Sequence, residues 1–257
     1  MSEKLVSIIM PTYLCSRFLP LSVASVQAQT WQNWELLIAD DCSPDDTYSI
    51  ASALAEKDSR IRLLRTKENA GPAAARNLAL SNARGNYVAF LDSDDLWKPE
   101  KLEKQIRFME ENGYSFSYTN YCEIDLQGKE TGVHMTGPKR VTRRGMFRYC
   151  WPGCLTVMFD REKLGELQIA DIKKNNDYAM WLKLCRRADC WLLDEELALY
   201  RRGRTGSIST NSIRTMMRWH YKLFREAEGM GTVPAAYCMA RNMVFGYVKK
   251  IRYRKMD

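Results

Sequence analysis

The chain of 257 residues is long enough to bury one sizeable core, and its 46% hydrophobic and 27% charged content excludes wholesale disorder. No apolar run reaches the roughly 20 residues needed to span a bilayer, and the stretch from Val6 to Met10 is too short for a signal peptide and lacks a cleavage site, which points to the cytosol. The net charge of +8 gathers in residues 139–148, at Arg201, Arg202 and Arg204, and from Lys249 to Lys255; with no nucleic-acid-binding signature beside it, that charge suits an anionic membrane surface or a phosphorylated small molecule.

In chain order, Leu5–Ile9 is a short apolar run ended by Pro11, and Leu19, Val23 and Val26 then recur at helical spacing. Glu35–Ala39 is a second run, ended by Asp40 and Asp41. Ile50 and Leu54 mark a helix after the capping candidates Ser43, Asp45 and Asp46. Ile61–Leu64 is the third run, followed by a helix that opens at Gly71-Pro72 and stops before Gly85. Tyr87–Leu91 is the fourth, ended by Asp92-Ser93-Asp94-Asp95. A helix then begins near Pro99, carries Leu102, Ile106 and Met109 on one face, and stops at Gly113. Continuous rather than alternating apolarity predicts strands buried on both faces of a parallel sheet. The β-α-β-α order predicts a Rossmann-like, doubly wound half whose ligand lies at the C-terminal strand ends, where Pro11–Tyr13, Asp40–Asp41 and Asp92–Asp95 converge.

The second half is less regular. Residues 115–124, 156–159 and 192–200 are strand candidates, Tyr178–Cys185 is a helix, and the pattern from Asn211 onward is helical. The expected organisation is one unit over residues 1–210, a nucleotide-binding half (1–112) and an acceptor and catalytic half (113–210), with a helical extension over 211–257. The tail from Met243 to Arg254 mixes apolar and basic residues; it fits a helix lying in a membrane interface, and equally one that packs on the domain and exposes its lysines. The eight cysteines form no C-x-x-C pair, the only histidines are His134 and His220, and most of the cysteines sit among apolar neighbours, so small hydrophobes are expected rather than a zinc site.

The acidic cluster carries the clearest chemistry. Carboxylates at i and i+2 after a buried strand can face one side of a turn and bind Mg²⁺ or Mn²⁺, hard cations that bridge to phosphate oxygens. Capping the helix at Pro99 would account for one acid, not three in four residues. No G-x-G-x-x-G follows the first strand and no G-x-x-x-x-G-K-[ST] occurs, which disfavours a nicotinamide enzyme and a P-loop NTPase.

Four segments, Val6–Tyr13, Glu35–Ser43, Asn69–Asn77 and Tyr87–Pro99, in this order and spacing, resemble family 2 glycosyltransferases with the GT-A fold. The resemblance covers roughly the first 110 residues and loosens beyond. It implies a metal-dependent inverting transferase that moves a sugar from a nucleotide sugar, UDP favoured, to a glycan or lipid-linked acceptor in surface polysaccharide synthesis. Pro11 and Tyr13 would lie against the base, with Asp41 or its neighbour Asp40 accepting from the base N–H. Arg76 would reach the base or the phosphates, Asp92 the ribose, Ser93 would belong to the nucleotide-sugar site, and Asp94 would ligate the metal. In Asn176-Asp177-Tyr178 the first residue departs from the acid often found there, leaving Asp177 as general base. Arg201 to Ser209, with Arg202, resembles the arginine-bearing segment that closes over the diphosphate, and it could equally be a solvated basic loop.

Two other readings stand beside this one. A sugar-nucleotide nucleotidyltransferase shares the fold but calls for a Gly-rich basic loop where this chain has Pro11-Thr12-Tyr13-Leu14-Cys15-Ser16-Arg17. An inactive nucleotide-binding relative is opposed by the intact Asp94 and Asp177, though Asn176 leaves it some room.

Overall fold

The computed structural model describes residues 4–172, 174–203 and 212–257. The first half alternates as expected: β1 (Val6–Thr12), α1 (Leu19–Gln27), β2 (Trp34–Asp40), α2 (Thr47–Lys57), β3 (Ile61–Arg65), α3 (Pro72–Asn82), β4 (Tyr87–Phe90), a two-residue β5 (Leu96–Trp97) and α4 (Lys101–Asn112). Beyond it come β6 (Phe116–Ile124), β7 (Glu130–Met135), β8 (Arg140–Val141), α5 (Arg143–Arg148), β9 (Met158–Asp160), α6 (Arg161–Leu164), α7 (Asn176–Leu184) and β10 (Cys190–Arg201). The chain closes with α8 (Ile213–Lys222), α9 (Thr232–Arg252) and β11 (Arg254–Met256).

The result is an α/β sheet flanked by helices, in the order β11-β7-β6-β9-β4-β1-β2-β3. The run β4-β1-β2-β3 is parallel throughout. Past β4 the sheet becomes mixed: β9 runs antiparallel to both β4 and β6, and β10 runs parallel to β6. Strands β1, β2 and β4 are buried on both faces, as their apolar runs require, while the edge strand β3 is only half-buried. Val6, Ile8 and Met10 of β1 pack with Leu36, Ile38 and Ala89 against α1 and α4, while Ile9, Leu37 and Phe90 face α3 and α7. Side chains alternate across a strand, so one apolar run supplies both cores.

Two glycines act differently. Gly113 ends α4 in the left-handed region, at φ 67°, as its place after the helix predicts. Gly85 is a matter of space, because a Cβ there would lie 2.5 Å from the Ser7 backbone nitrogen. Its own N–H donates to Ser7 Oγ at 2.8 Å, binding the turn before β4 to β1.

The C-terminal segment is helical but ends as a strand: β11 pairs antiparallel with β7 and extends the sheet edge. Helix α9 packs inward through Ala235, Cys238, Asn242 and Lys249. Here one of the tail's basic residues departs from the exposed-lysine pattern, because Lys249 is buried and donates to the Trp151 carbonyl at 2.8 Å. No helix among the described residues is long and apolar enough to cross a membrane.

Candidate functional site

In the sheet order, β1 has β2 on one side and β4 on the other, so the chain's winding reverses between β1 and β4. Ligand crevices in open α/β sheets form at such a switch point, outside the C-terminal strand ends. A cavity of about 510 Å³ opens there, within the usual 300–1,000 Å³ range of small-molecule sites. Its wall includes Pro11, Tyr13, Asp41, Arg76, Asp92, Ser93 and Asp94, which places seven of the expected residues around one space.

The turn after β4 divides its acids. Asp95 is buried and its Oδ1 accepts from the Arg201 N–H at 2.8 Å, while its carbonyl accepts from Ser22 Oγ at 2.7 Å. Burial, together with Asp94 and Asp92 beside it, pushes the Asp95 carboxyl well above the ordinary carboxylate range. Asp95 therefore braces the turn. Asp92 is gripped by Arg76, whose Nη2 lies 2.5 Å from Oδ1. Asp94 lines the cavity. A turn that lines the cavity with carboxylates could hold Mn²⁺ or Mg²⁺, and Asp94 is the acid of this turn that has neither the Arg76 pairing of Asp92 nor the burial of Asp95.

Arg76 is not a solvated helix arginine. It is 7% exposed, and Nη1 donates to Asn176 Oδ1 at 2.9 Å while Nη2 donates to Asp92. Its guanidinium thus ties the acidic turn to the first residue of α7. The carboxylate charges around it raise the Arg76 pKa despite burial. Asn176, which departs from the acid expected there, serves as the acceptor in this bridge.

Asp177 follows in the first turn of α7, beside the lined cavity rather than in its wall. Burial raises its pKa, with Arg76 pulling it down and Asp92 pushing it up. A carboxyl shifted in this direction is better suited to proton abstraction near neutral pH. The preceding Asn175 sits in the left-handed region at φ 58°, one of three non-glycine residues so placed among the described residues. The others, Leu14 and Cys42, follow β1 and β2 at φ 50° and 53°. All three belong to segments leading out of the sheet or into α7 around this crevice.

Two expected positions move. Asp40 is fully buried and outside the cavity wall; its carboxylate accepts from Ser43 N at 3.2 Å and pairs with Arg65 at 3.3 Å. Asp41 is the neighbour that reaches the cavity. Its oxygens accept from Ala70 N at 3.0 Å and Gly71 N at 2.7 Å, fixing the loop before α3. Gly71 adopts φ 90°, which suits glycine.

Arg202 also stands away from the wall, paired with Glu123 at 2.8 Å. Arg201 takes the cavity position instead. It donates through Nε to the Asp94 carbonyl at 2.8 Å and through Nη1 to the Asp125 carbonyl at 2.8 Å. Arg202 lies one residue past the end of β10, where its guanidinium turns to Glu123 instead. Tyr200 and Lys174 line the cavity too, and neither was singled out by sequence. The Arg204–Ser209 part of the expected closing segment lies outside the described residues.

A second cluster lies elsewhere, where ligand atoms of Cys122, His134 and Glu196 come within 4.8 Å of one another. Lys98 and His134 already engage the two Glu196 oxygens, and burial pushes the Cys122 thiol up to about 12. A thiol so hard to ionise is a poor metal ligand. All eight cysteines are free.

The model of glycosyl transferase family 2 matches residues 7–162. A Bacillus subtilis relative, named as a teichuronic acid biosynthesis glycosyltransferase, is 38% identical over 93% of this chain and 94% of its own length. An Escherichia coli relative, named UDP-Glc:alpha-D-GlcNAc-diphosphoundecaprenol beta-1,3-glucosyltransferase, is 38% identical over 84% of each chain. Among solved structures, S. aureus TarS 1–349 in complex with UDP-GlcNAc aligns with a TM-score of 0.72 at 20% identity, covering 93% of this chain and 71% of that one. At that identity the likeness bears on the fold.

Proposed function

The chain belongs to glycosyl transferase family 2, and from that membership we propose that it is a metal-dependent inverting transferase. It moves a sugar from a nucleoside-diphosphate sugar, UDP favoured, to a hydroxyl of a glycan or lipid-linked acceptor in surface polysaccharide synthesis. The reaction runs in the cytosol, at the inner face of the membrane. The names of two relatives, one in teichuronic acid biosynthesis and one using UDP-Glc with a diphosphoundecaprenol acceptor, support this donor and acceptor class. The observation that carries the reading is the Arg76 bridge, which joins the Asp92–Asp95 turn to the start of α7 beside a strand-end cavity.

In this reading Pro11 and Tyr13 form the base side of the cavity, the half-exposed Tyr13 ring offering a stacking face. Asp41 accepts the base N–H with the lone pairs its loop contacts leave over. Asp92, Ser93 and Arg76 border the ribose and diphosphate, and Arg201 faces the same side in place of Arg202. A divalent cation held by Asp94 would neutralise charge on the departing diphosphate. Asp177 removes the acceptor hydroxyl proton as that oxygen attacks the anomeric carbon. The bond to the diphosphate breaks on the opposite face, so one displacement inverts the centre.

The test is a transfer assay with UDP-sugars and a diphosphoprenol-linked acceptor, run with and without Mn²⁺. Asp94→Ala should abolish metal-dependent donor hydrolysis and transfer; full activity would remove Asp94 from the metal site. Asp177→Asn should keep the thermal shift given by UDP and Mn²⁺ while transfer falls by roughly 10²- to 10⁴-fold, the usual worth of a general base. Equal losses of binding and turnover would make Asp177 structural.

A further inference from the structure

Helix α9 is two-faced in a way its packing does not use up. The side bearing Ala235, Cys238, Asn242 and Lys249 is buried. On the opposite side Val233, Tyr237, Val244, Tyr247 and Ile251 recur at spacings of three, four or seven residues, all whole turns of a helix to within a fraction, and each is more than 60% exposed. Helix α8 packs beside α9, has no buried residue, and exposes Ile213 and Met217 one turn apart. An apolar stripe of this length on a soluble surface marks a contact site.

Charge selects the occupant. The exposed cations of this segment include Arg214, Arg218, Lys250, Arg252, Arg254 and Lys255, against the exposed acids Glu226 and Asp257. A second copy docking through the same face would bring these cations against one another. An anionic lipid surface would instead take the apolar side chains between its headgroups and pair with the flanking charges. We infer that the α8–α9 face is a docking surface for an anionic membrane.

The placement has a consequence for the cavity. Asn242, on the inner side of α9, donates to the Tyr178 hydroxyl at 2.9 Å, and Tyr178 directly follows Asp177. A helix with its side chains is about 10 Å across, so docking would hold the start of α7 roughly one helix diameter from the lipid surface. The docking face stands on its own exposure and charge and does not depend on the acceptor proposed above.

The test is co-sedimentation of the full chain, without donor or acceptor, with vesicles of phosphatidylcholine alone or containing phosphatidylglycerol. The chain should bind the anionic vesicles and release as salt rises. The Val244→Glu/Ile251→Glu variant should lose binding by at least about tenfold. The Lys250→Gln/Arg252→Gln variant, a change confined to exposed residues, should lose roughly fivefold for each charge removed. Absence of binding by the unaltered chain overturns the inference, as does unchanged binding in both variants. Light scattering that shows a dimer which Val244→Glu/Ile251→Glu converts to monomer, with no vesicle binding, assigns the face to a second copy instead. Transfer to a soluble acceptor is measured separately, so failure here leaves the glycosyltransferase reading intact.

Discussion

Arg76 spans 100 residues of sequence to reach Asn176, and 16 to reach Asp92. Its fork-shaped guanidinium makes both bonds at once, which a lysine ammonium cannot reproduce with the same geometry. Arg76→Lys is therefore expected to lower transfer about a hundredfold through misplacement of the turn and α7. Single-turnover kinetics compared with UDP binding will show whether the loss lies in the chemical step. Asn176→Asp tests the electrostatics. A second carboxylate beside Asp177 disfavours its ionised form and raises its pKa further. A base must be ionised to act, so activity in this variant should be lost at a higher pH as pH falls. The measurement is the acid limb of kcat/KM, and a limb that stays in place would separate Asp177 from catalysis. At this scale the sequence was legible where chemistry is local: three acids in four residues after a buried strand mark the turn that lines the cavity. It was silent on Arg76–Asn176, because no periodicity links residues so far apart; it left Asp41 and Asp40 both open, of which Asp41 reaches the cavity, and it named Arg202 where Arg201 lines the wall.

Among the elements, β1, β2 and β4 follow from their unbroken apolar runs, and the polar residues within those runs have a task. Ser7 Oγ donates to Glu35 at 2.6 Å, and both accept from the Arg84–Gly85 turn. This polar knot holds the entrance to β4 against β1, upstream of the acidic turn. Gly85→Ala places a methyl 2.5 Å from the Ser7 nitrogen and 2.8 Å from the Leu5 carbonyl, both backbone atoms. The expected cost is about 3 kcal/mol, read as a drop in the urea midpoint with unchanged slope. Gly113→Ala, with open space around its Cβ position, should cost only about 1 kcal/mol through its left-handed backbone. A reversed ranking of the two would show that backbone conformation outweighs contact here. Strands β5, β8 and β11 and the short helices α5 and α6 escaped the sequence reading because they are two to six residues long and lack the apolar run that marks the equally short β4.

At the scale of the molecule, the C-terminal helices buttress α7: Asn242 of α9 bonds Tyr178, which in turn donates to the Met146 carbonyl at 2.6 Å. Lys249 lies in the same interface, and burial pushes its pKa down to about 8. Below pH 8 both folded and unfolded chains hold its proton, and the fold bears the full cost of the buried charge. Between about 8 and the ordinary lysine value the unfolded chain binds more protons, so stability attributable to this site rises with pH. Lys249→Met should therefore be the more stable protein at pH 7, by at most about 3 kcal/mol, with the gap closing towards pH 10. Urea titrations of both proteins at the two pH values measure it; a gap independent of pH would mean that Lys249 is not held at a depressed pKa. The sequence by itself determined the doubly wound half, the strand ends that meet at the crevice and the family of the chain, because buried parallel strands and strand-end turns are written in contiguous residues. Tertiary structure alone decided that the sheet turns mixed after β4, that Arg76 joins the acidic turn to α7, and that the tail packs one face while leaving an apolar stripe outside. Those outcomes depend on which distant surfaces meet, and no local pattern encodes that.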